Sequence, residues 1–236
     1  MRVLAIVHQS DAGPGVFGDE IRAGGDNLDE WMLPDAPEAP ADPLSYDAVM
    51  VLGGAMHADQ EGAHPWLIDE KALLARLIER EVPLIGLCLG GQMVAAAAGA
   101  APQRAAEPEI GWLDVELTAE GIGDPLIGPL APRFEAFEWH SYEFPLPAGA
   151  VALARTDLCL QACRVGEAAW AIQFHPEVSA TDARAWIEGY RSDEDAVRIG
   201  VDPVVLGAET DAKIAAFNQL GRDICRRWLD LAARRT

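Results

Sequence analysis

The chain has 236 residues, half of them apolar, which is enough to bury the core of one large α/β domain. Its 38 acidic against 18 basic residues leave a formal charge of −20, a field that excludes a nucleic-acid backbone as partner. No stretch approaches the length of a membrane span, and the apolar run after Met1 is too short for a signal segment. The four cysteines, Cys88, Cys159, Cys163 and Cys225, show no CxxC pairing, so no structural zinc site is expected. Reduced thiols and a cytoplasmic location follow as expectations.

Arg2 to Val7 reads as a buried strand, a Gly- and Asp-rich stretch follows, and residues 28–33 read as a second strand. Residues 34–45 hold Pro34, Pro37, Pro40 and Pro43 between acidic residues and are expected to be a surface loop. Residues 47–52 form a third strand ending at Gly53-Gly54. From 65 to 81, Leu67, Leu74, Leu77 and Ile78 recur at helical spacing behind Pro65. Residues 83–88 are again strand-like, and 90–99, rich in Ala, suit a buried helix. Such alternation predicts an open, mostly parallel central sheet with helices on both faces. In the second half, short strand-like segments at 112–117, 134–139, 151–155, 159–165 and 169–174 predict a small antiparallel region. Helices are expected at about 181–190 and 209–233, the latter with Ile214, Phe217, Leu220, Ile224, Trp228 and Leu231 on one stripe. The whole of 1–236 is expected to be a single domain.

The segment Gly86-Leu87-Cys88-Leu89-Gly90-Gly91-Gln92 lies where a strand hands over to a helix. G-x-C-x-G is the cysteine form of a nucleophile elbow, a strained turn that projects the side chain from the C-terminal edge of the sheet. Glycines at minus two and plus two remove side chains that would clash in so tight a turn. The helix N-terminus, with its partial positive charge, favours a thiolate. The same heptapeptide also suits a small buried cysteine, as the other three are expected to be. Downstream, an apolar strand ends in His175-Pro176-Glu177. His175 can take the thiol proton, and Glu177 can reach back to orient the imidazole. Cysteine, histidine and carboxylate together are what acyl transfer requires. His8 ends the first strand and is read as structural, His57 and His64 as solvated loop residues. His140, in Glu138-Trp139-His140-Ser141-Tyr142, is read as pocket wall following a strand and preceding a polar turn.

With its G-x-C-x-G-x-Q elbow, its His-Pro-Glu corner and its upstream Gly53-Gly54, the chain resembles the class I (triad-type) glutamine amidotransferases. The resemblance extends over nearly all of the chain and is greatest to stand-alone members similar to the glutaminase domain of GMP synthase. It implies a flavodoxin-like fold in which Cys88, His175 and Glu177 are catalytic and the amides of Gly54 and Leu89 form the oxyanion hole. One such donor is typically worth roughly 3 kcal/mol in the transition state. It further implies that Gly53, Gln92, His140, Ser141 and Tyr142 bind substrate, with no cofactor and no metal. Ala55-Met56 stands where the family often has Pro, so a differently shaped oxyanion loop is expected. With no synthetase domain read after the last helix, the expectation is either an ammonia acceptor on a separate subunit or simple release of the ammonia. Three functions remain open at this level: release of ammonia from glutamine, hydrolysis of other γ-glutamyl amides or peptides, and a non-catalytic binding module. A fourth, the elbow-bearing cysteine peptidase and deglycase fold, would need an acid such as Glu20.

Overall fold

The computed structural model describes residues 1–36 and 38–235; Pro37 of the proline-rich stretch and Thr236 lie outside them. The first half alternates strands and helices, as expected except for α1: β1 (Arg2–Val7), α1 (Gly15–Ala23), β2 (Asn27–Met32), β3 (Ala48–Val51), α2 (Trp66–Glu79), β4 (Leu84–Leu87) and α3 (Leu89–Ala97). The second half contains β5 (Gln103–Leu117), α4 (Ala119–Ile122), β6 (Arg133–Glu143), β7 (Val151–Arg155), β8 (Leu160–Val165) and β9 (Ala169–Ile172). It ends with α5 (Ala180–Glu188), α6 (Glu194–Arg198) and α7 (Pro203–Ala233). Among the described residues, these strands form one nine-stranded sheet in the order β2-β1-β3-β4-β9-β8-β7-β5-β6. The pairs from β2 to β9 are parallel. Those from β9 to β6 are antiparallel, so the second-half strands extend the parallel sheet rather than standing apart from it.

Two apolar layers enclose the sheet, and each parallel strand feeds both. In β1, Val3, Ala5 and Val7 join the layer that holds Phe17, Phe217 and Trp228 from α1 and α7. Leu4 and Ile6 join the opposite layer, with Leu67, Leu74 and Leu77 of α2 and Met93 and Val94 of α3. Alternating side chains that are all apolar can only be buried on both faces. Each such Leu or Phe contributes roughly 1.5–3 kcal/mol over leaving it in water. The described part of the proline-rich stretch is a partly exposed connection between β2 and β3, as expected.

Several elements differ from the sequence reading: α4 and α6 have no counterpart in it, and α7 begins at Pro203 rather than near 209. Helix α1 sits in the Gly- and Asp-rich stretch; its buried Val16, Phe17 and Ile21 are too few to set a periodic signal. Strand β5 begins well before residue 112: residues 103–109 are mostly exposed, lack the apolar alternation that marks a strand, and pass through a register shift between Arg104 and Glu109. Strand β6 runs through His140, Ser141 and Tyr142, which therefore lie in a strand and not in a turn.

Two elements converge backbone to backbone on the turn after β9. At Gly15 (φ +47°) a Cβ would lie 2.0 Å from the Glu177 carbonyl oxygen, and Val16 N–H donates to that same oxygen at 2.8 Å. In α7, a Cβ on Gly221 would lie 2.0 Å from the Pro176 carbonyl oxygen. Overpacking usually costs about 1–3 kcal/mol, and here no flexible side chain can yield. We expect Gly221→Ala to lower stability by about 3 kcal/mol, read from chemical unfolding; a change under about 0.5 kcal/mol would show that α7 is free to move off this turn.

Candidate active site

Cys88 joins β4 to α3 with φ +52° and ψ −110°, a region an L side chain rarely occupies. Neighbouring backbone holds it there: Cys88 N–H donates to Ile172 O at 2.8 Å, and Gly90 N–H donates to Leu52 O at 3.1 Å. A Cβ on Gly90 would lie 2.0 Å from Val51 O, and one on Gly86 2.3 Å from Gly90 O. Both glycines are thus required by close approach. Cys88 is 7% exposed and lines a cavity, and its thiol points at Trp139 O, 3.9 Å away.

His175 follows β9, the strand beside β4, and is buried within reach of Cys88. Its Nδ1 pairs with Glu177 Oε1 at 2.8 Å. That leaves Nε2, which has no hydrogen-bond partner among the described residues, for the cysteine side. Burial opposes charge on this imidazole, but Cys88 and Glu177 outweigh it and hold its pKa well above the ordinary value. Trp186 of α5 packs edge-on against the ring at 4.9 Å. Gly53 lies against both groups, since a Cβ there would meet His175 Cε1 at 3.3 Å and Cys88 Cβ at 3.8 Å. Gly54 and Leu89 line the same cavity, and the Leu89 amide is one of the first in α3, where the helix itself offers no acceptor.

The cavity is about 640 Å³, within the range of small-molecule sites. The Gln92 amide spans its floor, donating to Tyr142 O at 3.1 Å and to Gln173 Oε1 at 3.3 Å. Tyr142 O also receives His140 Nδ1–H at 2.9 Å, so this carbonyl serves the wall. His140 Nε2 faces Glu109 at 3.1 Å and Glu138 at 3.3 Å; burial opposes its charge, but the two carboxylates push its pKa up to about 10. Ser141 and Tyr142 line the cavity.

Four lining residues, His57, Arg104, Asp193 and Asp195, escaped the sequence reading. His57 is not a solvated loop residue: it is half-buried, stacks on Tyr142 with 3.8 Å between ring centroids, and burial lowers its pKa. His64 is likewise half-buried, tilted against Trp66. Arg104 reaches from β5 to pair with Asp195 of α6 at 2.5 Å, and Trp139 Nε1–H donates to Asp193 at 2.8 Å. These residues converge from distant segments with no shared motif. Cys163 and Cys225 are packing residues as expected, and burial raises the Cys163 pKa to about 12. Cys159 instead lies beside Glu109 and His140. Glu20 pairs with Arg226 of α7, remote from the cavity.

His8 is structural, as read, and its task is specific. Its Nδ1 contacts Leu52 O at 3.0 Å and Gly53 O at 3.2 Å, while Nε2 contacts Glu70 Oε1 at 3.0 Å. Carbonyl oxygens only accept, so Nδ1 carries a proton; facing an ionised Glu70, Nε2 donates as well and the ring is an imidazolium. Burial opposes this charge, but Glu70 and the two carbonyls prevail and raise the pKa. A raised folded pKa gives stability that is present below the unfolded value of about 6.5 and is lost as pH rises through the folded one. Glu70→Gln is therefore expected to destabilise most near pH 6 and progressively less towards pH 9 in urea unfolding. An equal loss at both would show that His8 carries no charge.

Residues 31–188 match the Glutamine amidotransferase class-I family. A γ-glutamyl-L-1-hydroxyisopropylamide hydrolase of a Pseudomonas species is 30% identical over 152 residues, 61% of this chain and 51% of the hydrolase, so the match spans about half of that relative. A glutamine-hydrolyzing GMP synthase subunit of Natronomonas pharaonis is 31% identical over 149 residues, covering 62% of this chain and 74% of that one. Among solved structures, a glutamine amidotransferase of Thermotoga maritima superposes with a TM-score of 0.87 at 30% identity, covering 97% of each chain. An elbow cysteine beside a carboxylate-held histidine on this open α/β sheet, together with these matches, places the chain in the class I glutamine amidotransferase family.

Proposed function

We propose that the protein hydrolyses the γ-amide of glutamine through a glutamyl-thioester on Cys88, releasing ammonia. The observation that carries this is His175, held by Glu177 at 2.8 Å with its other nitrogen free beside a cysteine in a positive-φ turn. The sulfur attacks the γ-carbonyl carbon, and the amides of Gly54 and Leu89 receive the charge that develops on the oxygen. His175 Nε2–H protonates the departing nitrogen as the C–N bond breaks, and ammonia leaves. The same nitrogen then deprotonates a water that attacks the thioester, which yields glutamate and restores the sulfur. Glu177 keeps the ring in the orientation both steps need. Free ammonia passes to solvent or to a separate acceptor protein.

A second reading, hydrolysis of larger γ-glutamyl amides, is supported by the cavity of about 640 Å³, which extends past Cys88 to Trp186, Asp193 and Arg104. That space exceeds what a glutamine side chain fills. A bulkier leaving group would lie along this wall while the glutamyl part kept its place at the cysteine.

Cys88→Ala is expected to abolish glutamate release with the unfolding midpoint preserved, and an unchanged rate would remove Cys88 as nucleophile. His175→Ala should lower kcat by roughly 10²–10⁴-fold; a loss below about tenfold would leave it outside the mechanism. Comparing kcat/KM for glutamine, γ-glutamyl alkylamides and γ-glutamyl dipeptides separates the two readings. Preference for glutamine supports the first, preference for a bulky amide supports the second, and turnover of none with no labelling of Cys88 by a glutamine-like electrophile overturns both.

A further inference from the structure

We propose that Glu109, His140 and Cys159 form a binding site for one divalent transition-metal ion, with zinc as the best match. A carboxylate oxygen, an imidazole nitrogen and a sulfur from these three buried residues all lie within 4.8 Å of one another. Zinc legs of about 2.0–2.3 Å put ligand atoms roughly 3.3–3.8 Å apart, so small side-chain adjustments close the site. Imidazole, thiolate and carboxylate are zinc's own donor types, whereas calcium and magnesium take oxygen ligands. Cys159 carries none of the paired spacing by which zinc sites are read from sequence, because its companions come from other strands. Glu109 and His140 are cross-strand partners on β5 and β6, and Cys159 enters from the turn before β8.

A second observation points the same way. His140 Nδ1–H donates to the Tyr142 carbonyl at 2.9 Å, the arrangement that fixes the tautomer of a metal-bound histidine and turns Nε2 towards the ion. That Nε2 is buried and makes no aligned hydrogen bond among the described residues, although Glu109 lies at 3.1 Å and Glu138 at 3.3 Å. Both oxygens of Glu138, which is fully buried, are also without a hydrogen-bond partner there. Gln161 Nε2–H donates to Glu109 Oε2 at 2.8 Å and holds that carboxylate in place. Cys159 also lines a surface depression with Thr156 and Asp157, which offers an entry path. The ion forms bonds to sulfur, nitrogen and oxygen. The thiol proton and the Nε2 proton leave to solvent, and nothing is oxidised or reduced. Its effect would be to staple β5, β6 and the β7–β8 turn behind the His140–Tyr142 wall.

The test is cobalt substitution in full-length protein stripped of metal by a chelator. One equivalent of cobalt should give a near-ultraviolet thiolate charge-transfer absorption together with the intense visible bands of a tetrahedral site. Cys159→Ser should lose the charge-transfer absorption while keeping its circular dichroism, and His140→Gln should weaken binding by about tenfold or more. Cys88→Ala should keep the absorption. A signal that vanishes in Cys88→Ala and survives in Cys159→Ser would place the metal on the elbow instead and overturn the proposal. So would no absorption at equimolar cobalt, the result expected of an imidazolium simply caught between two carboxylates. Glu109→Gln offers a second, conservative variant if Cys159→Ser fails to fold, and unchanged cobalt affinity in it would likewise overturn the site.

Discussion

Everything at the candidate site depends on holding one residue in a backbone conformation it would not adopt alone. Cys88 sits at φ +52° and ψ −110° because the chain around it has no freedom to relax. Its amide is bonded to Ile172 O of β9, and the amide of Gly90 to Leu52 O just past β3. Strands β3, β4 and β9 are consecutive in the sheet, so the elbow is clamped from both sides by the ends of its neighbours. Those two neighbours carry the remaining parts: Gly53-Gly54 follows β3, and His175 follows β9. The clamp that strains the cysteine is thus also what brings the other groups to it.

Buried histidines paired with carboxylates recur around this clamp. His8 meets Glu70, His140 lies between Glu109 and Glu138, and His175 meets Glu177. A lone charge in such surroundings would cost several kcal/mol, so each imidazole comes with an acceptor. The three pairs nevertheless differ in what their second ring nitrogen does. In His8 it grips the carbonyls of the Gly-Gly loop, and in His140 it grips the Tyr142 carbonyl through Nδ1. In His175 the second nitrogen is left free at the cysteine. Of the three rings, only that of His175 thus turns a nitrogen without a hydrogen-bond partner among the described residues towards Cys88.

Much of this was legible before any fold was known. The parallel half of the sheet follows from apolar runs that can only be buried on both faces, and the elbow follows from glycines flanking a cysteine at a strand-to-helix junction. Less legible was α1, whose start rests on a positive φ at Gly15 and on its bond to the Glu177 carbonyl rather than on periodicity. The first half of β5 was hidden because half its residues face water. His140 to Tyr142 read as a turn although they continue β6, since polar residues in a strand that lines a cavity mimic the composition of a loop.

By itself, the sequence determined which residue types sit at each strand end, because local sterics demand glycine at the elbow and apolar side chains in the central strands. Only the tertiary structure decided which strand ends meet. It set Trp186, His57, Arg104 and Asp195 around one cavity and brought Cys159 to Glu109 and His140, residues from separate segments. The physical reason is that spacing along a chain fixes distance only within an element. Between elements, proximity is set by sheet order and by which faces are buried.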